Sequence, residues 1–515
     1  MIHPRPRFSI LLSGAHPDTI ASVFGQTFED WELLLIGSVG ESDPAVAARI
    51  RMFDTTGDHT TAVNRAVAAA AGDFLLILHP GDSLDPDALR RLVRAATDGV
   101  DVLYLDETVG PDAGPTSRAE VIRKPDWSPE RLRHYNYIGP AVALRTALVQ
   151  DAGGHRVGFG EAADYDLLLR ISERAGQIVH VPTAQFRRAA DRQAEPEAAA
   201  RRAVQDHLDR LGVAATAEAG SDPRFGRIVR RLDPSRLISI VIPTAGQVGT
   251  VEGAPRTFVI EAVRSALART HHQRVEVIVV HDMATPADTI SELHDIGGNR
   301  LVTLEYDKPF NFSEKCNLGF LKSQGDFVVL LNDDTEVVSD DWLEALVAPL
   351  EEADVGLTGA KLLYEDGSIQ HGGHLYASGS RPPHPLHAYR WWPDGTGLFG
   401  DLIINRECSG VTAACAALRR DVYEQIGGLS EIVPVNFNDV DLSLKVRHVG
   451  RRVLWIADCV VKHFESKSRV QSKARDFEIE FLERRWPDSF VRDRYAPWLS
   501  YKETVRPHAY KRWER

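Results

Sequence analysis

An internal repeat of domain size constrains the fold of this chain more than any other feature. Residues 64–82 read NRAVAAAAGDFLLILHPGD, and residues 317–335 read NLGFLKSQGDFVVLLNDDT. Asn, Gly-Asp-Phe and the apolar run that follows recur in register without a gap. A repeat this long indicates duplicated domains rather than the short stacked units of a solenoid. With 515 residues the chain is also too long for a single ordinary core.

The repeat extends in both directions from this centre. Phe8–Leu12 and Ile238–Ile242 each read as a first buried strand that ends in a turn. Further on, DYDL begins at Asp164 and DVDL begins at Asp439, and a Gly-Gly pair precedes each. The two copies can therefore be compared position by position.

Apolar strands alternate with helices through the second copy. This alternation predicts an α/β fold with a mostly parallel, Rossmann-like sheet and helices on both faces. We expect strands near 238–242, 275–280, 301–305 and 326–331, with helices near 258–269 and 313–323. The predicted domains are 1–192, a helical linker over 193–236, a second domain over 237–470, and a helical extension over 471–515.

Composition excludes some classes of protein. The net charge of −13 argues against general affinity for nucleic acid. The four cysteines include no CxxC pair, which is typical of reduced structural thiols. The N-terminus lacks the apolar segment of a signal peptide, and no apolar run approaches the roughly 20 residues of a membrane span. We expect a cytoplasmic protein and leave open peripheral contact at the inner membrane face.

An acidic turn, Asn332-Asp333-Asp334, directly follows the apolar run Phe327–Leu331. In open α/β sheets, ligands bind beyond the carboxyl ends of strands, where carboxylates can hold a divalent cation. One interpretation is that Asp334 binds the metal and Asp333 meets a nucleotide sugar. The other is an ordinary solvated turn, because loops favour Asn and Asp.

Three further sets of polar residues allow two interpretations each. Asp439 lies just before a predicted helix and is either a helix cap or a general base. His463 follows the apolar segment 453–461 and is either structural or a metal ligand. Lys467 and Arg469 either bind phosphate or belong to solvated surface.

Aromatic and imidazole side chains crowd one predicted loop. Trp391 and Trp392 either stack on an acceptor sugar or close an edge of the core, and we place Asp441 with them as an acceptor contact. Four histidines lie in the same region, and their spacing suits no obvious zinc site, so we interpret them as loop residues: His371, His374, His384 and His387.

Taken together, these motifs resemble the inverting glycosyltransferase family 2, of GT-A fold. The resemblance covers nearly all of 237–500, and it is greatest to bacterial two-domain enzymes that build rhamnose- or galactose-containing surface polysaccharides. The matching segments are VIPT (241–244), FNFSEKCNLG (310–319), LLNDDTEV (330–337), GAKLLYEDGSIQHGG (359–373), GVTAACAALRRDVYEQIGGL (410–429), FNDVDLSLKVRHVG (437–450) and HFESKSR (463–469). The first copy is similar more loosely, through KPDWSP (124–129), NYIG (136–139) and DYDLLLR (164–170).

The resemblance implies a nucleotide-sugar donor and a saccharide or lipid-linked saccharide acceptor. It implies Mg or Mn at Asp334, with His463 as a further metal contact and Asp439 as the catalytic base. It places Thr244, Asp282 and Asn317 at the bound nucleotide. The sequence departs from the family at His281-Asp282, where two acids are usual, and at Asn332, which supplies no charge.

The aligned first copy lacks the metal-binding residues. Gly81 stands at the position of Asp334, and Arg188 stands at that of His463, although Asp82 could bind metal after a shift of one residue. We expect residues 1–190 to form a degenerate domain that supports, orients or binds acceptor.

Three alternatives to this reading remain. Both domains could be catalytic, or the protein could be a dead carbohydrate-binding scaffold. A nucleotidyltransferase would require a basic Gly-rich loop, whereas residues 243–255 contain no Lys or Arg.

Overall fold

The computed structural model describes residues 7–38, 49–55, 57–109, 120–189, 197–251, 253–376, 385–464 and 476–499. The chain divides into two compact units. The first comprises residues 1–128, 135–212 and 216–226, and the second comprises residues 129–134, 213–215 and 227–515. A short helix within the predicted first domain therefore belongs to the second unit.

The secondary structure alternates as the sequence predicts. The strands are Phe8–Leu12 (β1), Trp31–Ile36 (β2), Ile50–Phe53 (β3), Phe74–Leu78 (β4), Ser83–Leu84 (β5), Val100–Val109 (β6), Glu120–Ile122 (β7), Val142–Arg145 (β8), Gln177–Arg188 (β9), Ala215–Ala219 (β10), Gly226–Arg230 (β11), Ile238–Thr244 (β12), Val248–Val251 (β13), Ala254–Thr257 (β14), Val275–Asp282 (β15), Leu301–Tyr306 (β16), Phe327–Leu331 (β17), Thr335–Val337 (β18), Val355–Leu363 (β19), Ile369–His371 (β20), His374–Leu375 (β21), Leu386–His387 (β22), Arg406–Glu407 (β23), Cys415–Arg419 (β24) and Arg452–His463 (β25). The α-helices are Pro17–Phe24 (α1), His59–Ala69 (α2), Ala88–Ala95 (α3), Pro129–His134 (α4), Thr146–Asp151 (α5), Ala163–Ser172 (α6), Glu197–Leu211 (α7), Phe258–Ala268 (α8), Ala287–Gly297 (α9), Phe312–Lys322 (α10), Trp342–Val347 (α11), Arg420–Gln425 (α12), Asn438–His448 (α13) and Asp476–Arg485 (α14).

The large sheets of the two units have the same strand order in the described part of the chain. The first runs β3-β2-β1-β4-β8-β6-β9-β5, and the second runs β16-β15-β12-β17-β24-β19-β25-β18. In each, four neighbouring strands are parallel, and the following strand, β8 or β24, is antiparallel to its neighbours. The predicted α/β fold with two tandem sheets is confirmed.

The duplication includes a specific loop anchor. The Asn317 side chain donates to Leu429 O (3.0 Å) and accepts from Leu429 N (3.0 Å). Asn64 makes the same two bonds with His155 in the first unit. In both units the preceding glycine, Gly428 or Gly154, has positive φ, and a Cβ there would collide with the Asn oxygen. This explains why Asn and Gly-Gly recur together.

The second sheet is covered on both faces. Every residue of β12 is buried, with Ile238, Ile240 and Ile242 in one apolar cluster and Val241 in another. Helices α8, α9 and α11 contribute to the first cluster, and α10 and α13 contribute to the second. Because successive side chains of a strand point to opposite faces, an almost wholly apolar strand requires helices on both sides.

Helix α4 is joined to the rest of the second unit by buried ion pairs. Glu130 pairs with Arg230 (2.6 Å), and Arg133 pairs with Glu352 (2.8 Å). Arg131 is fully buried with Asp401 at 2.7 Å. Breaking such pairs leaves an uncompensated buried charge, so this short helix is an integral part of the second unit.

Other expectations from the sequence have definite outcomes. The predicted connecting helix is α7, and it ends before Gly212, which has φ 68°. The predicted extension contains one described helix, α14. All four cysteines are buried free thiols. Among the described helices, none has both the length and the apolar character needed to cross a bilayer.

Candidate active site

The acidic turn lies where the carboxyl ends of β12 and β17 meet, as predicted. Thr244 ends β12, and its hydroxyl donates to Asp333 Oδ2 at 2.6 Å. Asp334 follows directly, and both carboxylates are about 95% buried, with 6% and 5% of their surface exposed. They are therefore held within the site rather than in a solvated turn.

His463 ends β25 and lies beside Asp334. The pairing of β18 with β25 sets Thr335 opposite His463, which brings His463 Nε2 to 3.1 Å from Asp334 Oδ1. The Asn332 amide lies 3.2 Å from the same Nε2. Two residues that are far apart in sequence thus meet through strand register.

Gln370 fixes the orientation and tautomer of His463. The Gln370 Nε2 group donates to the backbone oxygen of His463 at 3.2 Å, so Oε1 must face the ring. Oε1 lies 2.7 Å from His463 Nδ1 and accepts its proton. In the neutral ring Nε2 then carries the lone pair, on the side of Asp334 and the Asn332 amide, and a metal-binding histidine uses such a nitrogen. This donor set fits a divalent cation.

Asp439 lies in the first turn of α13. The helix begins at Asn438 with Phe437 as its cap, so Asp439 is not the N-cap. Its carboxylate accepts from Val440 N at 2.8 Å and is hydrogen-bonded by the Thr412 hydroxyl and by Ala413 N. Burial raises the pKa of Asp439 above its ordinary value of 3.8. A base with a raised pKa is better matched to removing a proton from a hydroxyl.

Strand β20 connects the two halves of this site. Gln370 contacts His463, and the next residue, His371, accepts from Thr412 N at 3.2 Å. The carboxylate of Asp439 lies 3.8 Å from His374 Nε2, and the ring of His374 packs beside those of His371 and His387. The base and the Asp334–His463 pair therefore belong to one neighbourhood of the second unit.

Lys315 joins two of the predicted nucleotide-binding residues. Its buried ammonium donates to Thr244 O at 2.7 Å and forms an ion pair with Asp282 at the end of β15. Lys315 thus contacts both Thr244 and Asp282. Asn317 instead uses its amide to anchor the loop at Leu429, so we do not retain it as a nucleotide contact. Lys467 and Arg469 lie outside the described residues.

The predicted acceptor contacts divide into three cases. Trp391 is 46% exposed and stacks on Tyr364 with ring centroids 3.9 Å apart. Trp392 is buried against Tyr389 and belongs to the core. Asp441 is fully buried and accepts from Trp486 Nε1 at 2.9 Å, so it anchors the C-terminal segment and is not available to an acceptor.

The interpretation of the histidines as separate loop residues is wrong. The pairing of β21 with β22 sets His374 opposite His387, and both lie beside His371 at the end of β20. One ring nitrogen from each lies within 4.8 Å of the others. Sequence spacing missed this cluster because strand pairing, rather than a short motif, supplies the third ring. His384 lies outside the described residues.

Comparison with known proteins identifies the segment that carries the acidic turn. Residues 239–427 match the model of the family described as glycosyl transferase family 2. These residues belong to that family. The family 2 domain, as matched, includes Asp333 and Asp334, while Asp439 and His463 follow it within the same compact unit.

Two curated relatives extend the similarity of the family 2 domain to most of the chain. The uncharacterized protein y4gI of Sinorhizobium fredii is 33% identical over 549 residues, covering 99% of this chain and 59% of that protein. The O-antigen biosynthesis protein RfbC of Myxococcus xanthus is 32% identical over 475 residues, covering 88% of this chain and 36% of RfbC. The chain thus spans less than two thirds of the length of either relative.

A solved structure of GalNAc-T7 with UDP, GalNAc and Mn²⁺ is also similar. It is 14% identical with a TM-score of 0.40, and the match covers 53% of this chain and 52% of that one.

The carboxylates of the first unit have other surroundings than those of the second unit. Asp164, the counterpart of Asp439, lies 2.7 Å from His79 Nε2 and 3.0 Å from His155 Nε2. Burial alone would raise the pKa of Asp164, but the two histidines hold it well below its ordinary value. Asp82 is fully buried, and both its oxygens accept backbone N–H groups. Neither carboxylate is arranged like its counterpart in the second unit.

Strand register supports the comparison at the remaining metal position. In the first unit Ser83 pairs with Arg187, which corresponds to Glu336 and Lys462 in the second unit. Arg188 therefore follows at the position of His463, and its guanidinium lies 3.6 Å from Glu107. A cation stands where the second unit has an imidazole.

Proposed function

We propose that the second unit transfers a sugar from a nucleotide-sugar donor to a saccharide or lipid-linked saccharide acceptor, with inversion at the anomeric carbon. The observation that carries the proposal is that Asp334 Oδ1 and His463 Nε2 lie 3.1 Å apart, a spacing suited to two ligands of one ion, while Gln370 holds the ring proton of His463 on Nδ1. Such a pair at the carboxyl end of a parallel strand is suited to a cation that must also hold a diphosphate.

Asp334 and His463 would hold Mg²⁺ or Mn²⁺. When bound, the ion would stabilise the negative charge that develops on the departing nucleoside diphosphate. The hydroxyl of Thr244 orients Asp333 for the donor, and the pairing of Lys315 with Asp282 orders the end of the neighbouring strand. These contacts support a donor site across the ends of β12, β15 and β17.

Asp439 would act as the base. Its carboxylate takes the proton of the acceptor hydroxyl while the hydroxyl oxygen forms a bond to the anomeric carbon. The bond from that carbon to the diphosphate oxygen breaks, and its electron pair leaves with the nucleoside diphosphate. A single displacement from the opposite face inverts the centre and needs only one base, unlike the paired carboxylates of retaining hydrolases.

The first unit would support this reaction without performing it. Asp164 is engaged by His79 and His155, and Asp82 is engaged by backbone N–H groups. We assign it a role in orienting or binding the acceptor. The relationship to an O-antigen biosynthesis protein supports a surface-polysaccharide product.

The decisive experiment measures nucleoside diphosphate release from a panel of nucleotide sugars, with and without Mg²⁺ or Mn²⁺. We expect one donor to be hydrolysed or transferred with metal, and Asp334→Asn to lose this activity. Asp366→Asn is the matched control, because Asp366 lies in an exposed turn bonded to Ser368. Activity that is independent of metal and unchanged in Asp334→Asn would overturn the proposal.

A further inference from the structure

The proposed reaction makes no use of the three-histidine cluster of His371, His374 and His387. The ring centroids are separated by 4.8, 5.1 and 5.5 Å, and the ring planes cross at 77°, 81° and 84°. The three rings are therefore mutually inclined rather than stacked, and one nitrogen of each lies within 4.8 Å of the others.

These separations match a tetrahedral metal centre. With metal–nitrogen distances of about 2.0–2.1 Å, the centroids of three bound imidazoles lie about 5 Å apart. The Nδ1 atoms of His371 and His387 lie 2.7 Å apart and share one proton. An ion that replaced this proton would need to open the gap only to about 3.3 Å, the spacing of two nitrogens on such an ion.

The surroundings of the cluster also favour an ion. His371 and His374 are buried, with 0% and 5% of their surface exposed, so an ion held by these rings would be shielded from water. Burial lowers the pKa of both His374 and His387 to about 3, so these rings are neutral near pH 7. Neutral imidazole is the metal-binding form.

We propose that His371, His374 and His387 form a second metal site, which takes a zinc-class ion. Nitrogen ligands select Zn²⁺, Co²⁺, Ni²⁺ or Cu²⁺ over Mg²⁺ and Mn²⁺, which prefer oxygen. The site is therefore chemically distinct from the Asp334–His463 pair. The carboxylate of Asp439 lies 3.8 Å from His374 Nε2, within reach of the same ion after a small shift.

The metal would also act on the base. Without metal, Thr412 N donates to His371 Nε2, which leaves the ring proton on Nδ1. An ion bound at Nδ1 of His371 moves the ring proton to Nε2. The Nε2–H group then faces the Thr412 N–H group, so two donors meet and their hydrogen bond is lost. Thr412 also hydrogen-bonds Asp439 through its hydroxyl. Binding of an ion to the cluster therefore displaces Thr412, which positions Asp439. A zinc-class ion would thus inhibit sugar transfer. This last step rests on the proposed function.

Binding is tested with Co²⁺ alone, on the full chain after chelator treatment and without donor, Mg²⁺ or Mn²⁺. We expect one equivalent to produce the visible absorption of a tetrahedral cobalt centre, and Zn²⁺ to displace it. Asp334→Asn should retain this signal, which separates the two sites. His374→Gln and His387→Gln should each lose it.

His294→Gln is the matched control, because His294 lies on α9 and contacts only Thr303 among the hydrogen-bond partners described. Circular dichroism checks that each variant is folded. If one of His374→Gln and His387→Gln does not fold, the other is used alone. The proposal is overturned if the wild-type protein gives no tetrahedral signal, if the signal survives both histidine substitutions, or if it depends on Asp334.

Inhibition is measured as the ratio of transfer with and without one equivalent of Zn²⁺, at saturating Mn²⁺. We expect a loss of about a hundredfold, the lower end of what a general base contributes. His387→Gln should show a ratio near unity. If the protein transfers no sugar, the proposed function is refuted. The cobalt titration still tests the metal site, because it does not depend on transfer.

Discussion

The side-chain oxygen of Gln370 lies 2.7 Å from Nδ1 of His463, and its amide nitrogen lies 3.2 Å from the backbone oxygen of the same residue. Because the backbone oxygen can only accept, the amide has one orientation, and that orientation places the imidazole proton on Nδ1. The lone pair of His463 is consequently on Nε2, 3.1 Å from Asp334, and Gln370 would not itself touch the metal.

Replacement of Gln370 should therefore weaken the metal site. Gln370→Met keeps the length of the side chain and removes both hydrogen bonds. We expect the affinity for Mn²⁺ to fall by about 10- to 100-fold, the usual effect of losing an outer partner of a histidine ligand. The measurement is the Mn²⁺ dependence of donor hydrolysis, with Ser368→Ala in the exposed turn as control. Equal metal affinity in Gln370→Met and wild type would contradict this role.

The raised pKa of Asp439 predicts the pH dependence of transfer. The base must be ionised, so activity falls as pH drops through the pKa of Asp439. Because burial raises that pKa above 3.8, the acid limb of kcat/KM lies above the range of an ordinary aspartate. Asp439→Asn should lose about 10²- to 10⁴-fold in activity, and its residual rate should lack this limb. The same limb in Asp439→Asn would assign the titration to another group.

The sequence indicates those parts of the site that depend on the order of residues within a short segment. Strands β12 and β17 are continuous apolar runs, and parallel neighbours bring Thr244 and Asp333 to the same edge of the sheet. Asp439 and Asp441 both lie in the first turn of α13. In a helix, residues two apart point in nearly opposite directions, so Asp439 meets Thr412 while Asp441 meets Trp486.

The parts that the sequence did not predict depend on contacts between distant segments. Gln370 is 93 residues from His463, and only the placement of β20 brings them together. Arg131 of helix α4 is 270 residues from Asp401. Neither composition nor sequence spacing indicates that these two residues form a fully buried pair. Contacts between residues so far apart in the chain produce no periodic pattern in the sequence.

The pair formed by Arg131 and Asp401 should stabilise the second unit. Both side chains are fully buried, and Trp498 lies against the guanidinium. Arg131→Met leaves the Asp401 charge without this partner, and we expect the free energy of unfolding to fall by about 3–5 kcal/mol. Urea denaturation measures this. Arg264→Met, which removes two exposed pairs, with Glu261 and Glu292, should cost about 1 kcal/mol or less. Equal, small losses in both variants would show that α4 does not anchor the unit.

Asp164 tests whether the first unit is catalytic. Its carboxylate is bound by His79 and His155, so we expect Asp164→Asn to change transfer by no more than about threefold, far from the 10²- to 10⁴-fold loss of Asp439→Asn. The substitution should instead destabilise the protein by about 1–3 kcal/mol, because it weakens two buried hydrogen bonds. Transfer rates are therefore compared at a temperature where both variants are folded. A loss in Asp164→Asn as large as that in Asp439→Asn would mean that both units perform chemistry.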